Sequence, residues 1–209
     1  KRISNPLETL LDGTAIWIQL FSVLIIAPLL EEFIFRKCVV TALAGYSHRG
    51  AILISSLAFG LCHGNFYQFF YAFALGMLFA YIYLRTGRLR YTVTLHFLVN
   101  FLGGAVPLFL RKGLQAVEAI ESLGNLEELR VFLQQNASTI GSLLVYVLFM
   151  WGIAIAGVVL FIVKRKSFRF SSDSPSIPAG IRFRTLFINP GIILMILAGL
   201  FLFAMNLLG

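Results

Sequence analysis

The chain alternates long apolar runs with short polar segments. Four runs have about the 20 residues that a helix needs to cross a bilayer, namely residues 66–84, 91–110, 139–163 and 185–208. Two further apolar helices are less regular, one over residues 14–45 and a short one over residues 50–63. The pattern predicts an all-α, polytopic transmembrane bundle of about six helices, with residues 1–209 forming a single domain.

Composition supports a membrane protein. Hydrophobic residues make up 59% of the 209 positions, charged residues make up 12%, and 21 residues are Phe. The net charge of +8 could indicate a nucleic-acid partner, but the positive residues are concentrated in two loops. These residues are Arg85, Arg88 and Arg90 in one loop, and Lys164, Arg165, Lys166, Arg169, Arg182 and Arg184 in the other. Two spans separate the loops, so the positive-inside rule places both on the cytoplasmic side and makes a nucleic-acid partner unnecessary.

The segment between these two basic loops has a different character. Residues 111–138 contain four glutamates and three basic residues, in an amphipathic pattern. On the orientation given above this segment is external, and its pattern predicts an amphipathic helix on the membrane surface.

Three smaller features concern the limits of the domain and the thiols. The chain starts at Lys1 without a methionine, which is consistent with a fragment that lacks upstream helices. A low-complexity linker covers residues 171–180 and separates the last helix from the rest. Cys38 and Cys62 lie in apolar helices, with no disulfide or CxxC spacing, and we expect each to be a small buried hydrophobe.

Two adjacent carboxylates, Glu31 and Glu32, lie deep in the first apolar helix, in the sequence APLLEEFIFR. A charge at bilayer depth costs at least a few kcal/mol, so such residues usually line a wet cavity and have a function. Glu32 and Arg36 share a helix face and can pair, while Glu31 points about 100° away around the axis. Pro28 removes one backbone hydrogen bond and predicts a kink close to the carboxylates.

The same four-residue spacing occurs twice more. Phe59 and His63 end the short helix, and His96 and Asn100 share a face of a later one. Because the short helix is only about 21 Å long, it cannot span the bilayer, and His63 should lie near mid-bilayer.

Together these side chains suggest amide hydrolysis. A glutamate can take a proton from water, imidazoles can polarise a carbonyl or hold a metal, and an amide can stabilise an oxyanion. Glu31, His63 and His96 are also a ligand set that zinc accepts with one position left for water. The alternative for each histidine is a structural hydrogen bond between helices.

The three motifs, in this order, resemble those of a known family. EEFIFR (31–36) matches EExxxR, FGLCH (59–63) matches FxxxH, and HFLVN (96–100) matches HxxxN. The chain resembles the CPBP family of intramembrane proteases (CAAX protease and bacteriocin-processing, also called Abi or type II CAAX prenyl endopeptidases) over about residues 25–104.

The resemblance implies an intramembrane endopeptidase in which Glu31 and His63 activate the attacking water. His96 and Asn100 would bind the carbonyl oxygen of the substrate or contribute to a metal site. It leaves open whether zinc or a metal-free glutamate drives the reaction. It implies as substrate a prenylated CAAX-type or other membrane-associated peptide, and as setting a bilayer, which we expect to be a bacterial plasma membrane.

In the same family comparison, Glu32 and Arg36 would be the supporting pair, as the helical spacing also indicates. Rival protease classes lack their motifs here, since there is no HExxH, GxSG or paired GxGD-type aspartate. The main alternative is a non-catalytic membrane adaptor or bacteriocin self-immunity protein of the same fold. A small transporter is a weaker one, because broken helices and midplane carboxylates also mark transport sites.

Overall fold

The computed structural model describes residues 15–167, 180–181, 184–185 and 188–208. Within these ranges the chain is helical and contains no strand. We number the eight longer helices of this described part in chain order: α1 Ile16–Ala44, α2 His48–Leu61, α3 Phe66–Thr86, α4 Leu89–Phe109, α5 Arg111–Ala119, α6 Leu126–Gln135, α7 Ala137–Lys164 and α8 Pro190–Leu208.

Helices α1, α3, α4 and α7 are each long and apolar enough to cross a bilayer. Helices α2 and α8 are shorter apolar helices, so the described residues contain the six apolar helices that the sequence predicts. The chain is a multi-pass integral membrane protein. The last helix begins at Pro190 rather than at residue 185.

The amphipathic segment forms two helices, α5 and α6, rather than the single helix that we expected. The chain leaves helical geometry at Leu123, and Asn125 then caps α6 by accepting the backbone N–H of Glu128 at 2.9 Å. The Glu128 side chain accepts the Gly124 N–H in return, also at 2.9 Å. This reciprocal capping specifies a break in the middle of the segment.

Two prolines in the spanning helices each follow a wide π-helical turn. The turn Ser22–Ile26 precedes Pro28 in α1, and the turn Phe101–Ala105 precedes Pro107 in α4. A proline offers no N–H and its ring meets the carbonyl one turn earlier, and a wider turn relieves that contact. The irregularity that Pro28 predicts therefore takes the form of a π turn.

A third π-helical segment, Phe33–Val40, contains no proline. Here side chains bind the carbonyl groups: Ser55 of α2 donates to the Phe35 carbonyl at 2.8 Å, and Thr41 donates to the Arg36 carbonyl at 3.4 Å. These bonds satisfy backbone oxygens where the regular pattern of the helix is lost.

The contacts of the chain divide it into two compact units. The first comprises the described parts of residues 1–98 and 170–209, and the second comprises the described parts of residues 99–169. In the second unit α5 packs on α7, and the Tyr146 hydroxyl donates to the Leu102 carbonyl at 2.7 Å. The single-domain assignment stays a prediction.

Helix α2 lies at the centre of the first unit, in contact with α1, α3 and α8. Small residues allow this close packing. A Cβ atom at Gly76 of α3 would lie 3.0 Å from the Ser56 Cα, and one at Gly199 of α8 would lie 2.7 Å from the Leu61 Cβ. The neighbouring helices therefore approach α2 at distances that only glycine permits.

The prediction that both cysteines are buried is wrong, because Cys38 and Cys62 are exposed. Cys38 lies within the π-helical segment, where the wider turn changes which residues face inward. Cys62 follows the last residue of α2, where the inward face of that helix ends. Residues 1–14 and most of the predicted linker, residues 171–179, lie outside the described residues.

Candidate active site

The first compact unit gathers five of the six predicted site residues from three places in the chain. Helix α1 supplies Glu31, Glu32 and Arg36, the end of α2 supplies His63, and α4 supplies His96.

Glu32 and Arg36 form the predicted ion pair. The Arg36 Nε lies 3.1 Å from the Glu32 Oε2, and both side chains are fully buried. The guanidinium carbon lies 4.5 Å from the centre of the Phe59 ring and 5.4 Å from that of the Phe79 ring. The buried guanidinium charge is stabilised by the Glu32 carboxylate and by the faces of the two aromatic rings. Burial of this charge without them would be very unfavourable.

The second oxygen of Glu32 binds a histidine from another helix, at 3.0 Å between Oε1 and the His96 Nδ1. The sequence did not reveal this bond, since the two residues are 64 positions apart. An ionised carboxylate can only accept, so Nδ1 carries the proton that is donated. In neutral His96, the Nε2 atom then holds a lone pair.

The Nε2 atom of His96 faces the other carboxylate of the motif. It lies 3.6 Å from the Glu31 Oε2, beyond direct hydrogen-bond distance. The Glu31 side chain is 33% exposed, whereas that of Glu32 is fully buried. Two adjacent glutamates thus have different surroundings: Glu32 is paired and enclosed, whereas Glu31 is partly exposed and its Oε2 atom is buried without a hydrogen-bond partner among the described residues.

A single water molecule would fit the chemistry between these two atoms. An ionised Glu31 and the Nε2 of a neutral His96 are both acceptors, and one water has two hydrogens to donate. Its oxygen lone pairs would then point away from both groups. This is the orientation of a water molecule prepared for attack on a carbonyl carbon.

His63 is fixed by its own backbone. Its Nδ1 lies 2.8 Å from the Phe59 carbonyl oxygen, which can only accept, so the free lone pair is again on Nε2. Helix α2 ends two residues earlier at Leu61, and Gly64 adopts a left-handed conformation with φ of +68°. Asn65 then caps α3. The sharp turn after His63 therefore needs the glycine at position 64.

Phe59 of the FGLCH motif packs against several of the site residues. Its ring meets His63 edge to face at 5.0 Å between centres, and it meets His96 edge to face at 5.6 Å. The same ring lies against Arg36. One aromatic side chain thus contacts both imidazoles and the buried cation.

Asn100 lies one turn after His96 on α4, just before the π turn Phe101–Ala105, and belongs to the second compact unit. It is therefore not part of the geometry described for the first unit, and its role in binding an oxyanion stays a prediction.

A metal site was predicted from three side chains of the motifs. Glu31, His63 and His96 have suitable donor atoms, and both imidazoles present Nε2 while Nδ1 is bonded, as metal-binding histidines usually do. Nevertheless, the part of the chain that the structure describes contains no group of three or more His, Cys, Asp or Glu side chains that could hold a metal ion. Zinc binding stays a prediction that depends on the types of donor atom in these three side chains.

Comparison with known proteins agrees with the motifs. The sequence model of the Rce1-like family, the type II CAAX prenyl endopeptidases, matches residues 13–102. This segment is similar to the Rce1-like family. The match confirms the resemblance that the three motifs indicate, and it contains all six predicted site residues from Glu31 to Asn100.

Two curated relatives of the Rce1-like segment come from bacteria. "Membrane-embedded CAAX protease MroQ" of Staphylococcus aureus (strain USA300) is 33% identical over 112 residues, which is 50% of this chain and 44% of that protein. "Putative membrane peptidase YdiL" of Bacillus subtilis (strain 168) is 37% identical over 79 residues, which is 36% of this chain and 32% of that protein. The matches thus span less than half the length of each relative. No solved structure matches the chain.

Proposed function

We propose that this chain carries the active site of an intramembrane endopeptidase, which hydrolyses a peptide bond in a prenylated CAAX-type or other membrane-associated substrate. The observation that carries the proposal is the contact between Glu31 and His96, a partly exposed carboxylate 3.6 Å from an imidazole that a buried ion pair orients. The names of the two bacterial relatives support it, and they favour a bacterial plasma membrane as the location.

In the proposed reaction, water is held between Glu31 and His96 and attacks the carbonyl carbon of the peptide bond. Glu31 accepts the proton that water loses as the new C–O bond forms. The carbon–nitrogen bond then breaks, and the same proton passes from Glu31 to the departing amine. The enzyme returns to its starting protonation state, and one water molecule is consumed for each bond broken.

The buried groups hold this arrangement in place. Arg36 pairs with Glu32, and Glu32 accepts from the Nδ1 of His96, so the Nε2 of His96 stays available to the water molecule. His63 presents a second Nε2 lone pair from the end of α2, which is an alternative to His96 as the acceptor of the second hydrogen of the water. Asn100 would donate to the oxyanion, as the resemblance implies. Fixed donors and acceptors in a poorly hydrated site need little rearrangement during the reaction.

The experiment that tests the proposal compares Glu31→Ala with wild type in proteoliposomes, using a farnesylated CAAX peptide whose cleavage separates a fluorophore from a quencher. We expect Glu31→Ala to lose at least about a hundredfold in rate, because a positioned general base contributes about 10² to 10⁴. The matched control is Glu118→Ala, which removes an exposed glutamate of α5 and should leave the rate unchanged. Equal amounts of each protein in the membrane must be shown first.

Normal turnover by Glu31→Ala would reject the mechanism. If wild type does not cleave this or other lipid-modified peptides, while Glu31→Ala also keeps its biological effect in cells, the chain is an adaptor of the same fold.

Zinc is tested separately, by the metal content of purified protein. If zinc is bound, about one ion per chain should be present in wild type and none in the double variant His63→Ala, His96→Ala. When bound, the ion would polarise the substrate carbonyl and acidify water. Absence of zinc from both proteins would leave the mechanism based on Glu31 and water.

A further inference from the structure

The turn between α3 and α4 carries a cluster of positive charge that the candidate active site does not use. Its three arginines, Arg85, Arg88 and Arg90, are all exposed, and the sequence has no acidic residue between Glu32 and Glu118. Among the described residues, none of the three arginines is paired with a carboxylate. The positive-inside rule accounts for positive charge in this loop, but it does not account for how the side chains are arranged.

Local hydrogen bonds fix the backbone of this turn. Gly87 ends α3 in a left-handed conformation with φ of +64°, and its N–H donates to the Tyr83 carbonyl at 2.8 Å. The Thr86 hydroxyl donates to the Ile82 carbonyl at 2.8 Å and accepts the Arg88 N–H at 3.3 Å. Arg88 therefore has a defined position directly before the first residue of α4.

Two of the arginines meet at a single oxygen atom. The Arg88 Nη1 donates to the Tyr91 hydroxyl at 3.4 Å, and the Arg90 Nη2 donates to the same oxygen at 3.3 Å. The Arg90 guanidinium also lies over the Tyr91 ring, 5.0 Å from its centre. Because the phenol oxygen accepts from both cations, its own hydrogen is available to a third group. Each guanidinium has several N–H groups, so both can bind a ligand as well.

This arrangement fits an anion. Two positive charges held at one oxygen repel each other, and a neutral hydroxyl offsets this repulsion only in part. A phosphate group would neutralise the charges, because guanidinium groups bind phosphate oxygens with two parallel hydrogen bonds. The Tyr91 hydroxyl can donate a further bond to the same phosphate.

The surface beside the cluster indicates which kind of phosphate compound fits. Leu98 lies about two helical turns after Tyr91 on α4, so the two residues share a face. Leu78 lies about two turns before Arg85 on α3 and shares a face with it in the same way. Both leucines are 43% exposed. The cationic groups are thus continuous with apolar surface that an acyl chain would cover, whereas a free phosphate would gain nothing from it.

We propose that Arg88, Arg90 and Tyr91 bind the phosphate of an anionic phospholipid headgroup, and that its acyl chains lie along the exposed apolar faces of α3 and α4. Arg85 adds positive charge to this anionic lipid site. The inference does not depend on the peptidase function, because none of these residues belongs to the candidate active site. The orientation that the basic loops predict assigns the site to the cytoplasmic leaflet.

The test is native mass spectrometry of the detergent-purified protein with phosphatidylglycerol and, as a comparison without net charge, phosphatidylcholine. We expect tighter binding of phosphatidylglycerol. The double variant Arg88→Gln, Arg90→Gln should weaken its Kd about thirtyfold, because each cation near an anionic lipid contributes about fivefold. Equal affinity for the two lipids in wild type would overturn the proposal. In detergent the result does not depend on how each variant is oriented in a membrane.

The matched control is the double variant Lys164→Gln, Arg165→Gln, which removes two exposed charges from the end of α7. It changes the net charge by the same amount and should change the Kd for phosphatidylglycerol much less. An equal loss of affinity in this control would overturn the proposal, because total charge alone would then explain the binding.

Tyr91→Phe tests the convergence of the two arginines. This variant keeps the ring next to Arg90 and removes the oxygen to which both guanidinium groups donate, so we expect about fivefold weaker binding of phosphatidylglycerol. The control is Tyr67→Phe at the start of α3, where the side chain is 82% exposed. An unchanged Kd in Tyr91→Phe, or the same loss in Tyr67→Phe, would contradict the site.

Thermal unfolding in detergent distinguishes a lipid from a free phosphate. A ligand that binds only the folded protein raises the melting temperature. We expect such a rise with phosphatidylglycerol in wild type, a smaller one in Arg88→Gln, Arg90→Gln, and none with inorganic phosphate. An equal rise with inorganic phosphate would show that the site binds free phosphate and would overturn its assignment to a lipid.

Discussion

Helices α2 and α7 are both apolar, yet they are used in different ways. Most of the 14 residues of α2 are buried, including Ser55 and Ser56, while Leu143 is the one buried residue of the 28 in α7. Helix α7 is also the more hydrophobic by sequence. In a bilayer, hydrophobicity marks the surface that lipid covers, while the protein interior contains small and polar residues that let helices approach and bond to each other.

The polar groups of the first unit follow this rule. Glu32, Arg36 and His96 are buried, and each has a partner of opposite character. The difference between the two helices indicates that functional residues lie where an apolar helix contains small and hydroxylated residues. Each prediction below concerns one such feature, and the second and third have a matched change at an exposed position.

The largest effect is expected for Glu32→Ala, which leaves the Arg36 charge buried without a carboxylate. We expect about 3–5 kcal/mol of destabilisation, measured by thermal unfolding in detergent, together with low accumulation in the membrane. Replacing both partners by Glu32→Gln, Arg36→Met should recover much of the stability without recovering activity, because His96 is no longer oriented by a carboxylate. If Glu32→Ala were as stable as wild type, the ion pair would have no structural role.

A smaller loss is expected for Gly199→Ala, which adds a methyl group where α8 meets α2. The new Cβ would lie 2.7 Å from the Leu61 Cβ, so α2 must shift close to His63, at a cost of about 1–3 kcal/mol. The control is Gly152→Ala in α7, where no atom lies within 4 Å of the new Cβ. Thermal unfolding of the two variants measures the difference, and equal melting temperatures would contradict the close approach.

The smallest effect is expected for Ser55→Ala, which removes the donor to the Phe35 carbonyl in the π-helical segment. Loss of one neutral hydrogen bond costs about 1 kcal/mol. The control Ser142→Ala removes an exposed hydroxyl of α7 that bonds to its own helix, and we expect it to change little. Chemical denaturation measures the stability of both variants. Equal stabilities would show that the π-helical segment does not need Ser55.

The sequence predicted the helices and the motif residues because both depend on local signals. Apolar length identified the spans, and four-residue spacing identified the pair of Glu32 with Arg36. The bond from Glu32 to His96 and the approach of Gly199 to Leu61 were not predicted, since each joins residues far apart in the chain. The break between α5 and α6 was missed although Gly124 and Asn125 are recognisable signals, because the amphipathic pattern continues across them.

The π-helical segment Phe33–Val40 also affects how this chain tolerates insertions and deletions. A π turn holds about one residue more than an α turn, so the helix on either side of it stays in phase although the chain contains an extra residue. Deleting one residue between Phe33 and Val40 would permit a regular α-helix, and the residues after the deletion, among them Val40 of the core, would keep about the same face. The same deletion in a regular helix would rotate all following residues by about 100°. This stretch is therefore the part of α1 that best tolerates the loss of one residue.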